Sequence, residues 1–384
     1  MNNRYDVIII GAGSVGVPTA MALAEKRIKT LVVDKNASPG QGENKHALGG
    51  IRANHSIPGK IMISLRSLEI FSSWEEKTGD NIDWLKGGYL FPAYEKEVED
   101  ILKGILPIQK KFGLKIDYVS PEKVREILPG IREEGLLGGT FSPDDGSASP
   151  LLAINSFYRK ALSGGVEFHF RERIKTITTR KGKVTGAISE NNTYHSPVVI
   201  DAAGPFSKPL CEQIGIDIPV FPELHEAGIT EPVKNFFSCM MADLRAGPDS
   251  KNYYFYQNKL GQVMFSIAPD PPIIGFDKRE TSSFLPLVSA RMVALLPRLK
   301  NIRVRRTWRG IYPMSPDGSP IVGWDREIKG LIHATAMCGQ GFMMGPGTGE
   351  LIARMVTKET TDSDQIILDD LSPYRIFKSH EALK

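Results

Sequence analysis

The sequence predicts an α/β domain assembled from separated segments of chain, and an α+β domain whose sheet is mainly antiparallel. Three observations support this prediction. An apolar strand leads through a glycine-rich turn into a helix within residues 5–26; a second apolar strand leads into a glycine turn at 198–204; and a strand, a glycine-rich turn and a helix return at 331–356. Because parallel α/β sheets bind nucleotides where such turns follow strands, one discontinuous nucleotide-binding domain is expected.

The first glycine-rich turn, GAGSVG in one-letter code, joins a predicted strand at 5–10 to a predicted helix at 14–26. Gly11 permits the tight turn between them. Gly13 lets the backbone approach a pyrophosphate, and Gly16 lets the helix pack closely on the strand. The pyrophosphate would then lie on the free N–H groups of the helix N-terminus. This pattern predicts a Rossmann-like dinucleotide site.

An acidic residue, Asp34, ends the next predicted strand at 30–34 and is followed by Lys35. Its carboxylate is placed to accept hydrogen bonds from ribose hydroxyls. It would repel a 2′-phosphate, and this argues against NADP.

The remaining elements follow from hydrophobic periodicity and turn residues. Residues 36–56 are polar and glycine-rich, which predicts a loop, and the stretch 142–150 is rich in turn residues. Antiparallel strands are expected between 220 and 309, and the final helix at 348–356. Further helices are predicted at 60–78, 95–112, 121–128, 155–162 and 284–296, and further strands at 87–91, 166–170, 174–179 and 184–189.

The composition excludes several classes of protein. The 384 residues suffice for two domains, and 41% hydrophobic with 24% charged residues is ordinary for a globular protein. A net charge of +4 is too small to indicate nucleic acid. The cysteines at 211, 239 and 338 are widely separated, which predicts a reducing compartment and no metal site. No stretch has the length and apolarity of a transmembrane helix, so a cytoplasmic location is expected.

The third glycine-rich element, Gly339–Glu350, favours FAD as the nucleotide. Its backbone N–H groups lead into a helix N-terminus, which stabilises negative charge on a ligand. A reduced flavin carries such charge on its N1–C2=O edge, whereas NAD has no comparable need. The FAD-binding domain is therefore predicted to comprise 1–83, 141–219 and 310–384, and a substrate-binding domain 84–140 and 220–309. The residues predicted to contact FAD are Gly11, Gly13, Ser14, Val15, Gly16, Asp34, Lys35, Gly50, Ile51, Ala203, Gly204, Gly339, Gly341, Phe342, Met343 and Met344.

These three glycine elements resemble those of the D-amino-acid oxidase superfamily of FAD enzymes. Other motifs are similar to the sarcosine oxidase β-subunit and the β-subunit of dye-linked L-proline dehydrogenase, namely Gly49–Arg52, Gly87–Leu90, Leu224–Pro232 and Ser315–Gly318. The resemblance spans nearly the whole chain. It implies an amino acid substrate, and its multi-subunit relatives imply a partner subunit for electron transfer.

Three residues are the predicted catalytic group. The guanidinium of Arg52 offers a rigid fork that matches a carboxylate, so Arg52 is predicted to contact the substrate carboxylate or the flavin. The alternative is a loop arginine in a surface ion pair. The resemblance places His225 and Tyr254 in the active site, where a neutral imidazole could accept or relay a proton. The alternatives are a structural histidine and an aromatic residue of the core.

Two departures from the family favour a dehydrogenase. Oxidases of this group commonly hold a lysine over the flavin, but residues 262–267 contain none. Trp308 and Arg309 occupy the region in which the monomeric oxidases attach FAD to a cysteine, so the FAD is expected to be non-covalent.

The resemblance thus implies oxidation of proline, sarcosine or a related amine, with hydride passing from the substrate Cα to flavin N5 and electrons passing to an acceptor other than oxygen. Two alternatives stay open. Residues 46–52 are faintly similar to a loop of glycerol-phosphate dehydrogenase, which suggests a hydroxy acid or glycerol 3-phosphate as substrate. The chain could also be a non-catalytic FAD subunit that relays electrons.

Overall fold

The computed structural model describes residues 3–378 and 381–383. The helices in this part of the chain are α1 (Gly16–Glu25), α2 (Pro58–Thr78), α3 (Lys96–Lys111), α4 (Pro121–Ile127), α5 (Pro150–Ser163), α6 (Ser207–Glu212), α7 (Phe284–Leu295), α8 (Gly341–Thr357) and α9 (Asp362–Leu371). The strands are β1 (Val7–Ile10), β2 (Thr30–Asp34), β3 (Gly50–Ile51), β4 (Leu85–Lys86), β5 (Tyr89–Ala93), β6 (Asp117–Val119), β7 (Gly138–Ser142), β8 (Gly146–Ser147), β9 (Glu167–Phe170), β10 (Ile174–Arg180), β11 (Lys183–Ser189), β12 (Thr193–His195), β13 (Val198–Asp201), β14 (Phe221–Thr230), β15 (Met240–Asp243), β16 (Ser250–Gln257), β17 (Val263–Pro269), β18 (Val304–Met314), β19 (Ile321–Trp324) and β20 (Leu331–Thr335).

A six-stranded sheet in the order β19-β20-β13-β1-β2-β9 forms the nucleotide-binding domain. Its neighbours pair in parallel except for the antiparallel edge strand β19. The strand β1 reads as an unbroken apolar run because both faces are covered: α1, α2, α5 and α8 pack on one face, and the small sheet β10-β11-β12 packs on the other. The strands come from separated segments of chain, so the predicted discontinuous α/β domain is confirmed.

The second sheet has eight strands in the order β18-β14-β17-β16-β15-β5-β7-β6, and it is mainly antiparallel as predicted. Only β15 and β5 pair in parallel. Alternation along β16 buries Tyr253 and Phe255 against α4 and α7, and directs Tyr254 and Tyr256 to the opposite face. That opposite face forms one wall of the site. The predicted domain limits at 140/141 and 309/310 fall inside β7 and β18.

Several elements extend beyond their predicted limits. The final helix begins at Gly341 rather than at 348, because its glycines pack tightly against α1 and the turn before it. A Cβ on Gly345 would lie 1.9 Å from the Ser14 carbonyl oxygen in that turn. Tertiary packing thus outweighs the poor helix propensity of glycine. The helix predicted at 155–162 begins at Pro150, inside the stretch expected to be turns, with Ser149 as its cap. The predicted loop at 36–56 contains β3.

In the described part of the chain, no helix combines the length and apolarity needed to cross a lipid bilayer.

Candidate active site

A large cavity of about 1200 Å³ lies between the two sheets. The nucleotide domain contributes the glycine turn after β1, the turn after β13 and the start of α8. The antiparallel sheet contributes side chains from β14, β16, β17 and β18. The loop that contains β3 crosses between the two domains and completes the wall.

The turn after β1 forms a cradle in which Gly11 and Gly13 present no side chain. Gly11 has φ +110°, and a Cβ there would lie 2.4 Å from the Ala202 carbonyl oxygen. A Cβ on Gly13 would meet no protein atom within 4 Å, so this position opens onto free space. Asp34 holds the turn, because its Oδ2 accepts a hydrogen bond from the N–H of Ala12 at 2.7 Å.

Most of the residues predicted to contact the cofactor line this cavity. They are Gly11, Gly13, Ser14, Val15, Asp34, Lys35, Gly50, Ala203, Gly204, Gly339, Gly341, Phe342 and Met343. Three others lie behind the wall. Gly16 packs α1 on the turn, with its Cβ position 1.9 Å from the Gly11 carbonyl oxygen, and the side chains of Ile51 and Met344 are fully buried in the core.

The N-terminus of α8 faces the same cavity. Gly339 has φ +78°, which turns the chain into the helix, and Gln340 donates its N–H to the Met337 carbonyl oxygen. The N–H groups of Gly341, Phe342 and Met343 stand in the first helical turn, where no helical carbonyl is available to them. They form a site for partial negative charge.

Arg52 follows β3 and is 6% exposed, so the alternative of a surface ion pair does not hold. Its Nη1 donates to the Asn54 carbonyl oxygen at 2.5 Å, and its Nη2 donates to the Leu383 carbonyl oxygen at 2.5 Å. The guanidinium also lies 5.6 Å and 5.7 Å from the ring centres of Tyr89 and Phe91. A cation at the cavity wall is therefore held in a fixed orientation.

His225 and Tyr254 lie on the cavity side of the antiparallel sheet. The imidazole of His225 stacks on the ring of Tyr312, with ring centres 3.9 Å apart, and its Nε2 lies 2.9 Å from Glu223 Oε1. Burial, and then the neighbouring Tyr312 phenol, raise the pKa of Tyr254 well above its usual value. Tyr254 is therefore a neutral phenol across the ordinary pH range.

Tyr312 and Glu223 also belong to the site, and neither was predicted from the sequence. Tyr312 connects two parts of the site, because its ring stacks on His225 and also fills the space beside Gly339, where a Cβ would lie 2.2 Å from the ring. Its position three residues before the Ser315–Gly318 motif was an available signal. Glu223 lies two residues before His225 on β14, and therefore on the same face of the strand.

These features fit FAD. The side-chain-free cradle at Gly13 and the N-terminus of α8 suit a pyrophosphate and a flavin edge, and both open into one cavity. Arg52, His225, Tyr254 and Tyr312 line the same cavity, so a carboxylate-bearing substrate could lie beside the cofactor.

The chain is similar in sequence and in fold to known proteins. Glycine oxidase of Geobacillus kaustophilus (strain HTA426) is 25% identical over 95% of this chain and 96% of its own length. The crystal structure of L-proline dehydrogenase from P. horikoshii superposes with a TM-score of 0.90 at 27% identity, covering 97% of this chain and 98% of that one. Glycine oxidase from Bacillus cereus ATCC 14579 gives a TM-score of 0.81 at 25% identity, covering 97% and 99%. The DAO family model, described as FAD dependent oxidoreductase, matches residues 6–355. The chain therefore belongs to the DAO family of FAD-dependent oxidoreductases.

Proposed function

We propose that this protein is an amino acid dehydrogenase that oxidises proline, sarcosine or a related amine next to a carboxylate. The observation that carries the proposal is the convergence of Arg52, His225 and Tyr254 on the cavity that also contains the dinucleotide cradle. The similarity in fold to L-proline dehydrogenase and glycine oxidase supports the same substrate class.

Arg52 is proposed to bind the substrate carboxylate. Its Nη2 already donates to a carbonyl oxygen, that of Leu383, so a carboxylate oxygen could take that acceptor's place. In the described part of the chain the hydrogen bonds of Arg52 go to neutral oxygens of Asn54 and Leu383, and a carboxylate would form a stronger, charge-assisted bond with the same guanidinium. FAD, when bound, supplies the two-electron acceptor for hydride from the substrate Cα.

His225 and Tyr254 are proposed to orient the substrate amine. A neutral His225 that donates its Nε2–H to Glu223 has Nδ1 left as an acceptor, which can take a proton from an ammonium group. Stacking on Tyr312 fixes the plane of the imidazole. These residues act by positioning and by moving a proton, without a covalent intermediate.

We further propose that the electrons pass to an acceptor other than oxygen, such as a dye in vitro or a partner subunit. The strand β17 contributes Ser266 and Ala268 to the cavity and contains no lysine. The absence of a cysteine at Trp308 and Arg309 supports non-covalent FAD.

The test is anaerobic reduction of the FAD-loaded protein by L-proline, sarcosine, glycine, D-amino acids and glycerol 3-phosphate. Bleaching of the flavin band by an amine is expected, followed by rapid reoxidation with an artificial dye and slow reoxidation with oxygen. Bleaching by glycerol 3-phosphate alone would instead establish the alternative substrate class. A flavin that no compound reduces would favour an electron-relay subunit, and rapid peroxide formation would contradict the proposed acceptor.

A further inference from the structure

We propose that Asp201, Cys211 and His333 bind one Zn²⁺ ion behind the nucleotide-binding turn that follows β13. Asp201 ends β13, Cys211 lies on α6, and His333 lies on β20, the strand that pairs with β13. All three side chains are buried, with exposures of 0%, 0% and 1%. The proposal contradicts the expectation of no metal site, which rested on cysteine spacing alone.

The three ligand atoms have the spacing that a single small ion requires. They lie within 4.8 Å of one another; Cys211 Sγ is 3.6 Å from Asp201 Oδ2, and His333 Nδ1 is 3.9 Å from the same oxygen. A tetrahedral zinc with bonds of about 2.0–2.3 Å places its ligand atoms about 3.5 Å apart. Binding therefore needs only a small inward movement of the side chains.

His333 gives an independent indication of a ligand. Its Nδ1 is buried, lies 3.9 Å from Asp201 Oδ2, and has no closer hydrogen-bond partner among the described residues. Its Nε2 lies 3.0 Å from Asp325 Oδ2, and the other oxygen of Asp325 accepts the N–H groups of Glu327 and Ile328. A carboxylate on one imidazole nitrogen, with the other nitrogen directed at the ion, is the usual support of a metal-binding histidine.

The chemistry of the donors favours zinc. A thiolate, an imidazole and a carboxylate form a mixed set that suits a borderline-soft divalent ion, and calcium or magnesium would prefer oxygen alone. Zn²⁺ would displace the thiol proton of Cys211, so the two anionic ligands would neutralise the ion in the buried site. The fourth position would be left for water.

The proposed ion has a structural role. None of its three ligands lines the large cavity, so a substrate has no access to it through that cavity. It would fasten α6 and β20 to β13, directly before the Ala203 and Gly204 turn that lines the nucleotide site.

The experiment measures metal content and Co²⁺ spectra of the full chain, expressed with added zinc and purified without chelator or metal-affinity resin. We expect one zinc per chain, and, after exchange with Co²⁺, d–d bands at longer wavelength than the flavin absorption together with a thiolate charge-transfer band. The variant Cys211→Ala should lose the zinc and the thiolate band. The matched variant Cys239→Ala, at a buried cysteine outside the site, should keep both.

Two results would overturn the proposal. The first is folded wild-type protein that contains no stoichiometric metal and gives no Co²⁺ bands on titration. The side chains would then form a buried cluster without a metal, in which the His333 ring lies between Asp201 and Asp325. The second is unchanged Co²⁺ spectra in Cys211→Ala. Should that variant fail to fold, Cys211→Ser provides the same comparison. The metal content and Co²⁺ titration of the wild type test the proposal without any variant.

Discussion

Tyr312 and Gly339 together fix the surroundings of His225. The Tyr312 ring occupies the space that a side chain at position 339 would need, and it stacks on the imidazole of His225. Because the pair depends on contact between β18, β14 and the turn before α8, no single stretch of sequence contains it. The resemblance could suggest Arg52, His225 and Tyr254, but for Tyr312 the sequence offers only its nearness to the Ser315–Gly318 motif, because alternation along a strand does not separate a site tyrosine from a core one.

The substitution Arg52→Lys should raise KM for the reducing amino acid about 10–100-fold and change kcat less. Loss of one charged hydrogen bond costs about 1.5–3 kcal/mol, and an ammonium cannot reproduce the guanidinium fork. Steady-state kinetics with a dye acceptor measures the effect. The control Arg180→Lys, an exposed arginine at the end of β10, should leave both constants unchanged. An unaltered KM in Arg52→Lys would exclude Arg52 as the carboxylate ligand.

Asp145 should make stability fall as pH rises from 4 to 7. Burial raises the pKa of its carboxyl from 3.8 to about 7, so the folded state binds the proton more tightly than the unfolded state in this interval. Relative to Asp145→Asn, the free energy of unfolding of the wild type should decrease by roughly 3 kcal/mol between pH 4 and pH 7. Denaturant titrations at several pH values test this.

The neighbouring Asp144 is the matched control for that measurement. The ammonium groups of Lys86 and Lys115 lower the pKa of its carboxyl, and its contribution is lost as pH falls. Asp144→Asn should therefore give a difference of the opposite sign. Equal pH dependence in wild type and Asp145→Asn would show that this carboxyl is already ionised at pH 4 in the folded protein.

At the scale of elements, the two helices that face the cofactor site differ in how far the sequence predicts them. The turn into α1 is recognisable because each glycine has a fixed spacing and a separate role. The first seven residues of α8 were predicted as loop because residues 341–347 contain three glycines and a proline. A fourth glycine follows at position 349. Their helical state depends on close packing against α1 and α2, which propensity alone does not reveal.

The glycines of the first turn should separate cofactor binding from folding. Gly13→Ala should weaken FAD binding at least about tenfold, or about 1.4 kcal/mol, while the melting temperature of the apoprotein stays unchanged, because the added methyl group meets no protein atom. Gly16→Ala should destabilise the apoprotein itself by about 1–3 kcal/mol through its clash with the Gly11 carbonyl.

Flavin titration and thermal unfolding of both apoproteins distinguish these effects. If Gly13→Ala lowered the apoprotein melting temperature as much as Gly16→Ala, the cradle would be a packing feature rather than a ligand site.

For the whole molecule, the loop that contains residues 43–49 joins the two sheets. Glu43 Oε2 accepts the N–H of Ile311 at 2.9 Å, the His46 carbonyl accepts Trp308 Nε1–H at 2.9 Å, and the Leu48 carbonyl accepts the Tyr256 hydroxyl. The discontinuous domain was predictable because its three glycine elements are conspicuous. The loop contacts were not, since they depend on three-dimensional pairing across more than 200 residues.

We expect the two sheets of the holoprotein to unfold in one transition, because both form walls of the cofactor cavity. Far-ultraviolet circular dichroism and flavin fluorescence should give the same melting temperature. FAD at 100 times its Kd should stabilise the protein by about 2.7 kcal/mol. Release of flavin well before loss of secondary structure would contradict this coupling.

Asp34 restricts how the nucleotide preference of this protein can be engineered. Its Oδ2 accepts a hydrogen bond from the N–H of Ala12, and its Oδ1 accepts hydrogen bonds from both nitrogens of Asn36. The carboxylate that is predicted to bind the ribose therefore also supports the turn. Replacing it with a neutral or basic residue to admit a phosphorylated ribose would release three hydrogen bonds at once. Redesign should therefore leave Asp34 in place and alter neighbours such as Lys35, whose side chain extends over the Phe206 ring.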